Sequence, residues 1–393
     1  MFQKMLKKEG FLVGFGELFL KSASVQKIFK KKLFSQIAFF LKKEKIKFSF
    51  LPKRERFFFE VEKKDQKRAI SILKRIFGIS FFAPSLFFEG KEKELLENIS
   101  SFLKNNFKKI IKKNETFALR LKKEKNLLCS REKIIQEITK YVKRGVDLKR
   151  PKKEIFVELR KNYAFLYFKK IRGQGGLPLG SGGRVLNLIS GGIDSPVAAF
   201  LMLKRGCESV WVHFHSFPLV SKSSILKVKE LVKIFLNFQP SLFVYFCPLG
   251  RLQMKLRQII PSKYLVVFYR KFMLRISKEI AKKENCLAII TGESLGQVSS
   301  QTLHNLKIIE KKINFPILRP LIEKDKEEIV KIAKKIKTFP ISIQPQEDCC
   351  TLFTPKHSSA KANPETIKKL EKKIDFKKEI KEVLKETKRE FFN

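Results

Sequence analysis

The sequence predicts an α/β domain with a doubly wound parallel sheet in its carboxyl-terminal half, preceded by smaller α+β domains. Three observations lead to this fold class. The 393 residues exceed the roughly 250–300 that one hydrophobic core serves, so two or three domains are expected. Strands and helices mix irregularly up to about residue 170 but alternate regularly after residue 184. Apolar residues make up 44% of the chain, which excludes wholesale disorder.

The first half divides into two predicted α+β units. Alternating apolar residues indicate strands, and apolar residues three or four positions apart indicate helices. The first unit contains a strand at 11–21, a helix with a basic face at 23–44, strands at 46–50 and 56–62, a helix at 66–76 and a strand at 79–84. The second contains helices at 91–112 and 131–145 and strands at 116–122, 154–160 and 163–169.

A glycine-rich stretch at 173–183 (GQGGLPLGSGG) is predicted to be a linker or an ordered surface loop, because no strand immediately precedes a helix-opening turn there. Strands and helices then alternate, which indicates a parallel, doubly wound sheet. The predicted strands are 185–189, 209–214, 241–246, 287–291 and 340–343. The predicted helices are 196–204, 222–237, 262–283 and 325–337, followed by lysine-rich terminal helices within 364–393.

The chain is strongly basic. Lysine and arginine number 85 against 38 acidic residues, for a net charge of +47. Residues 1–170 hold 45 basic and 18 acidic side chains and the remainder hold 40 and 20, so the first part is the more basic per residue. This excess indicates a polyanionic partner such as a nucleic acid. A coding sequence rich in A and T would also enrich lysine, phenylalanine and isoleucine. The base composition of the gene is therefore an alternative origin of the positive charge.

Composition also bears on the cellular compartment. No stretch approaches the ~18–20 apolar residues of a membrane span, and Glu17 interrupts the apolar run that superficially resembles a secretion signal. The six cysteines, at positions 129, 207, 247, 286, 349 and 350, show neither disulfide-framework nor Cys-x-x-Cys spacing. We therefore expect a cytoplasmic protein with reduced thiols.

The segment 190–196 (SGGIDSP) carries the strongest chemical signal, because it directly follows a buried strand. Its glycines permit a sharp turn that brings backbone N–H groups close to a ligand, and Ser190 and Ser195 add hydroxyl donors. The next helix starts at Ser195 and directs its positive end at the same place. The pattern predicts an anion-binding loop that is not a Walker loop, with an ordinary capped glycine turn as the alternative.

This loop resembles the PP-loop of the ATP pyrophosphatase group, whose members adenylate a substrate oxygen and release pyrophosphate. Further segments are similar to the tRNA 4-thiouridine synthase (tRNA sulfurtransferase) family. They are residues 16–21 (GELFLK), 188–189 (LI), 213–218 (HFHSFP), 291–302 (TGESLGQVSSQT) and 347–357 (EDCCTLFTPKH). The resemblance extends over nearly the whole chain. It implies a ferredoxin-like domain at 1–75, a THUMP RNA-binding domain at 76–171, a linker at 172–184 and a PP-loop domain at 185–393, with tRNA as partner.

The resemblance also implies an ATP site. Together with the loop residues, it gives Leu188, Ile189, Ser190, Gly191, Gly192, Asp194, Ser195, His213, Phe214, Arg270, Gly292 and Gln301. Several of these follow the carboxyl ends of predicted strands, where open α/β sheets bind ligands. The guanidinium of Arg270 is permanently charged and suits a phosphate. Mg²⁺ is the expected metal cofactor, and Asp194 either positions it or braces the loop.

The chemistry implied by the family is replacement of a uridine C4 oxygen at tRNA position 8 by sulfur from a cysteine persulfide. A cysteine desulfurase would load the persulfide onto Cys350 or Cys349, and the surrounding pattern favours Cys350. Adjacent cysteines form a mutual disulfide only with strain, so a structural bond between them is not expected. Nearby Lys356 and His357 favour a lowered thiol pKa.

The chain departs from the family pattern in places. We expect a short form without the rhodanese-like domain that longer members carry, so the persulfide forms here directly or on a separate carrier. Cys207 is then a weak candidate for the resolving thiol. Gly14 stands where arginine is usual, and Ser358 where proline is common, which puts local tRNA contacts or loop geometry in doubt.

Alternative functions stay open. One is a different PP-loop enzyme, such as a 2-thiouridine-forming thiolase or an amidating synthetase. Another is a tRNA-binding protein with a catalytically inactive loop, although the intact residues 190–195 argue against it. Sulfur donation to a thiamine-pathway sulfur-carrier protein is also associated with the family, and a homodimer is a further possibility.

Overall fold

The computed structural model describes residues 7–17, 21–53, 56–345 and 359–393. It consists of two compact units, Met1–Gly176 and Leu177–Asn393. The predicted boundaries within and between the domains stay predictions. No helix among the described residues is long and apolar enough to cross a membrane.

The first unit is built on one large sheet with helices. Its elements are β1 Lys7–Phe15, α1 Ala23–Lys43, β2 Phe48–Lys53, β3 Arg56–Val61, α2 Gln66–Leu73, β4 Ile79–Glu89, α3 Glu92–Ile110, β5 Phe117–Lys123, α4 Arg131–Thr139, β6 Lys153–Arg160, β7 Tyr163–Tyr167 and β8 Ile171–Arg172. The strand order is β2-β3-β1-β4-β7-β6-β5, with β8 paired to β4. Strands β5 and β6 are parallel, and the other pairs are antiparallel.

Strand β4 joins the two halves of this sheet. It runs five residues past the predicted end at 84, because Phe87 and Phe88 are buried on opposite faces. Its length lets it pair with β1 on one side and with β7 on the other. The two predicted α+β units therefore share one continuous sheet.

The glycine-rich stretch is the ordered loop rather than a free linker. Gly173 and Gly175 donate to the carbonyls of Ser80 and Ile79 in the first unit, at 3.0 and 2.8 Å. Farther along, the backbone N–H of Gly182 donates to the carbonyl of Gly206 in the second unit, at 2.9 Å.

The second unit is the predicted α/β domain. Its elements are β9 Arg184–Leu188, α5 Asp194–Lys204, β10 Glu208–His215, α6 Ser223–Phe235, β11 Leu242–Pro248, α7 Gly250–Ile259, α8 Leu265–Lys283, β12 Ala288–Ile290, α9 Leu303–Glu310, β13 Ile317–Leu318, α10 Lys326–Lys335, α11 Phe339–Ser342, α12 Pro364–Glu371, α13 Phe376–Glu386 and β14 Lys388–Phe392. The strand order is β13-β12-β9-β10-β11-β14, and β9 to β13 are parallel.

Two predicted elements of this unit are wrong. Residues 340–343 were expected as a strand, but they lie in and just after the short helix α11, since Pro340 fits the first turn of a helix, where its missing N–H is not needed. The terminal residues 388–392 were expected as helix, but they form β14, which pairs antiparallel with β11. That pairing covers an otherwise open sheet edge.

Helix α8 forms the centre of the larger core of this unit. Twelve of its nineteen residues are buried, among them Phe268, Phe272 and Ile276. They pack with Leu186, Val212 and other strand side chains on one face of the sheet, whereas α5 contacts β9 and β10. The strand order changes direction at β9, where β10 lies on one side and β12 on the other, and this is the place where such sheets bind ligands.

Candidate active site

The loop 190–195 leaves the carboxyl end of β9 at that switch point and is closed by its own serines. The Ser190 N–H donates to Ser195 Oγ at 2.9 Å, and the Ser195 hydroxyl donates back to the Ser190 carbonyl at 3.3 Å. Gly192 N–H donates to Ser190 Oγ at 3.2 Å. Because α5 begins at Asp194, its positive end faces the loop. The two hydroxyls thus brace the loop, and their predicted role as ligand donors stays a prediction.

All twelve predicted nucleotide-binding residues line one cavity of about 400 Å³ beside this loop. They come from four separate parts of the chain: the end of β9 with its loop, the end of β10, helix α8, and the segment after β12. The side chains that complete the lining were not singled out by sequence, and they are Ser224, Val266, Met273, Leu274, Thr291, Glu293, Val298 and Ser300.

His213 fixes the base of the loop. Its Nδ1 lies 2.9 Å from the Ile189 carbonyl and its Nε2 lies 3.2 Å from Ser224 Oγ. Complete burial, together with a smaller effect of the neighbouring His215, lowers the pKa of His213 to about 4, so the ring is neutral at pH 7. A carbonyl only accepts, so Nδ1 carries the proton and Nε2 accepts from the Ser224 hydroxyl.

Asp194 is held by a lysine that sequence reasoning missed. Lys326, the first residue of α10, places Nζ 2.6 Å from Asp194 Oδ1, and Gln297 Nε2 lies 3.4 Å from Oδ2. The lysine is about half exposed, so the ion pair is solvated on one side. The only sequence signal for Lys326 is its place just after the helix-capping Asp325, which does not distinguish it from the neighbouring charges.

Arg270 belongs to a network of four charges. It pairs with the buried Glu293 and donates to Ser300 Oγ at 3.0 Å. The other oxygen of Glu293 accepts from Arg319 Nε at 2.5 Å, and Arg319 also pairs with Glu310. Burial of Glu293 requires such partners, and they hold Arg270 at the cavity wall.

Gly292 is required by packing. A Cβ at this position would lie 2.8 Å from the backbone nitrogen and Cα of Ser195, which is closer than carbon atoms approach. The absence of a side chain therefore lets the segment after β12 contact the first turn of α5.

Gln301 lines the cavity and carries an unsatisfied polar atom. Its Oε1 is buried and has no hydrogen-bond partner among the described residues. A buried carbonyl oxygen without a donor is costly.

No cluster of three or more metal-ligating side chains occurs within the described ranges. The carboxylate nearest the loop is Asp194, which Lys326 and Gln297 already contact. This arrangement fits an ion such as Mg²⁺, which uses one or two carboxylates together with ligand phosphates rather than a protein cage.

The predicted sulfur-carrying residues Cys349 and Cys350 lie outside the described residues, as do Lys356, His357 and Ser358. Cys207 is buried before the amino-terminal end of β10, whereas the loop lies at the carboxyl ends of the strands. Burial raises its thiol pKa, and the thiol contacts the Gly182 carbonyl. This position does not support a resolving role for Cys207.

Comparisons with known proteins agree with this architecture. A family model described as thiamine biosynthesis protein (ThiI) matches residues 180–376, about half of the chain. Models of the ThiI ferredoxin-like domain and the THUMP domain match residues 10–83 and 91–169.

Individual relatives are similar over long stretches. A probable tRNA sulfurtransferase of Brevibacillus brevis is 36% identical over 326 residues, 81% of each chain. Another, of Moorella thermoacetica, is 45% identical over 229 residues, which span 58% of this chain and 59% of that protein. A crystal structure of a 4-thiouridine synthetase–RNA complex with bound ATP superposes with a TM-score of 0.84 at 31% identity, covering 98% of this chain and 100% of that one. The chain, with its ferredoxin-like, THUMP and PP-loop domains, therefore belongs to the tRNA sulfurtransferase family of enzymes.

Proposed function

We propose that this enzyme replaces the C4 oxygen of a tRNA uridine, at position 8, by sulfur in an ATP-dependent reaction that yields 4-thiouridine. The observation that carries the proposal is the convergence of all twelve predicted nucleotide-binding residues on one cavity at the phosphate loop. The similar 4-thiouridine synthetase, described as an RNA complex with bound ATP, supports it.

The cavity fits a nucleoside triphosphate. The loop N–H groups and the start of α5 favour phosphates, and Gln301 Oε1 favours an exocyclic amino group. The uracil oxygen attacks the α-phosphate of ATP and pyrophosphate leaves, so the oxygen carries an adenylyl group. This oxygen then departs as part of AMP once sulfur has added at C4. Asp194 would hold Mg²⁺, which would supply positive charge to the phosphates, and Lys326 adds its own positive charge at the same loop.

The sulfur comes from a persulfide on Cys350, loaded by a cysteine desulfurase, with Cys349 as its neighbour. The outer sulfur bonds to C4 as AMP leaves, and a thiol reductant then cleaves the S–S bond, which frees 4-thiouridine. A second reductant thiol returns Cys350 to its free form. None of the four described cysteines lines the cavity, and burial raises the thiol pKa of Cys207, Cys247 and Cys286, which disfavours the reactive thiolate. These properties support the pair at 349 and 350 as the sulfur carriers.

The first unit binds the tRNA backbone. It contains a cavity of about 490 Å³ whose lining includes the cationic side chains of Arg56, Arg120, Lys122, Arg131 and Lys170. Aromatic rings accompany them, and Lys170 Nζ lies 4.2 Å from the ring centre of Phe156. Basic and aromatic groups together are the chemistry that proteins use toward RNA.

The assay combines the protein, ATP, Mg²⁺, unmodified tRNA and either sulfide or a desulfurase with cysteine. We expect near-ultraviolet absorbance of 4-thiouridine with both sulfur sources. Cys350→Ser should abolish the desulfurase-driven reaction, and Cys349→Ser should have a milder effect. If the wild-type protein forms no 4-thiouridine from sulfide, the proposed function is wrong.

We also propose a second sulfur acceptor and an oligomeric state. The description of the matching family model, thiamine biosynthesis protein, supports sulfur donation to a thiamine-pathway carrier protein. Mass spectrometry of the carrier after incubation would detect the thiocarboxylate. A homodimer is also proposed, and sedimentation of the full chain tests it.

A further inference from the structure

A buried ammonium group in the second unit has no part in the mechanism above. Lys227 lies on α6, one turn after Ser224, and is 4% exposed. Its Nζ donates to the backbone carbonyls of Ser342, at 3.1 Å, and Gln344, at 2.7 Å. Within the described ranges these two carbonyls are its partners. Burial lowers the pKa of Lys227, and a buried cation without a counter-ion is costly, so both contacts are needed to retain it.

The residues that Lys227 holds also contact the phosphate loop. The Ser342 hydroxyl donates to the Gly192 carbonyl at 3.2 Å. Ser342 is the last residue of α11, so its carbonyl and that of Gln344 are at a helix end where a cation is favourable. A continuous path of hydrogen bonds thus runs from Lys227 through Ser342 to the loop.

This path ends next to the predicted sulfur carriers in the sequence. Gln344 precedes Cys349 by five residues, and five residues extend no farther than about 18 Å. On the other side of the pair, the Ser359 carbonyl accepts from Asn305 Nδ2 at 2.8 Å, and Asn305 lies four residues after Gln301 of the cavity. The described residues on both sides of the cysteine pair are therefore bonded close to the nucleotide cavity.

We propose that Lys227 is a positioning residue for sulfur delivery: it clamps the chain that leads to Cys349 and Cys350 against the phosphate loop. Helix α6 makes this coupling, because Ser224 contacts His213 at the cavity and Lys227, three residues on, lies on the same face. The proposal rests on the proposed function, in which a persulfide on this pair is the sulfur source. It predicts that Lys227 matters for persulfide sulfur and not for free sulfide.

The test measures the initial rate of 4-thiouridine formation with each sulfur source. We expect Lys227→Met to lower the desulfurase-driven rate at least about tenfold while the sulfide-driven rate and the KM for ATP stay within about twofold. Ser342→Ala should shift the ratio of the two rates in the same direction by a smaller factor. Lys229→Met is the matched control, because Lys229 is on the same helix but pairs with Glu390.

The outcomes separate the two proposals. A merely structural role of Lys227 would lower both rates together, and an unchanged ratio or a parallel fall would overturn the inference. If melting shows that Lys227→Met does not fold, an unchanged ratio in Ser342→Ala overturns it instead. A wild-type protein that is inactive even with sulfide would contradict the proposed function, whatever the variants do.

Discussion

At the scale of single residues, the site depends on pairings that are remote in sequence. Asp194 and Lys326 are 132 positions apart, yet their charged atoms are 2.6 Å apart. Lysine is so abundant in this chain that no sequence pattern distinguishes Lys326 from its neighbours on α10. The loop serines, by contrast, were identified from the sequence because their contacts are local.

We predict that Asp194→Ala and Lys326→Met each reduce sulfide-driven 4-thiouridine formation at least about a hundredfold, about 2.7 kcal/mol of transition-state stabilisation. Both charges lie at the phosphate loop of the second unit, whereas the proposed tRNA-binding residues belong to the first unit. Affinity for tRNA, measured by fluorescence anisotropy, should therefore be unchanged. Lys331→Met is the control, because Lys331 is on the same helix and pairs with the exposed Glu327. Equal losses in all three variants would contradict this assignment.

A second prediction concerns the buried imidazole of His213. The unfolded chain protonates this side chain near pH 6.5, whereas the folded protein does so only near pH 4. The unfolded state therefore binds the proton first as the pH falls, and the free energy of unfolding should drop by about 3 kcal/mol between pH 6.5 and 4. This loss is absent above pH 6.5.

Urea unfolding monitored by fluorescence of Trp211, the one tryptophan of the chain, measures this effect. His213→Asn keeps an N–H near the position of Nδ1 and removes the titration. Its stability should change less between pH 6.5 and 4 than that of the wild type. A variant with the same pH dependence would assign the loss to another group, such as His215, whose pKa is also lowered by burial.

At the scale of elements, packing and edge pairing fixed helices, strands and strand partners that local sequence patterns did not predict. The Phe57–Phe59 run of β3 is buried on both faces, so it has no alternation that would fix its partners. Residues 388–392 (KREFF) follow a lysine-rich helix, and they become a strand because β11 has a free edge there. Helix α11 forms where a strand was predicted at 340–343.

We predict that Gly292→Ala weakens ATP binding and lowers stability by about 1–3 kcal/mol, because the new methyl group would push the segment after β12 away from α5. The change should appear as a raised KM for ATP together with a lower melting temperature. Gly145→Ala serves as control, since its Cβ would make only an ordinary contact with Thr116. If Gly292→Ala keeps the wild-type KM for ATP and the wild-type melting temperature, the close contact between α5 and the segment after β12 is not needed for either property.

At the scale of the whole molecule, charge is the dominant property. The net charge of +47 is spread over both parts of the chain, with the first 170 residues the more basic per residue. Phosphate contacts made by such a surface release counter-ions from RNA, so the affinity depends on salt.

We predict that the affinity for tRNA falls by at least about a hundredfold between 50 and 200 mM salt, as expected for several phosphate contacts. Anisotropy titrations over a salt series give the slope of log K against log salt. A DNA duplex, which presents a similar density of phosphate charge, should show a similar slope but bind with lower affinity than tRNA. A binding constant that is insensitive to salt would contradict the electrostatic argument.

The sequence by itself determined the α/β class of the second unit, the phosphate loop, and the residues around its cavity. The α/β class and the loop follow from short-range patterns, namely strand-to-helix periodicity and a glycine and serine turn, whereas the other cavity residues follow from the resemblance to a known family. Only the tertiary structure decided that Lys326 holds Asp194, that Glu293 and Arg319 hold Arg270, and that Lys227 clamps residues 342–344. Such contacts join residues from different elements, and their geometry is fixed by how the sheet brings those elements together rather than by any local property of the chain.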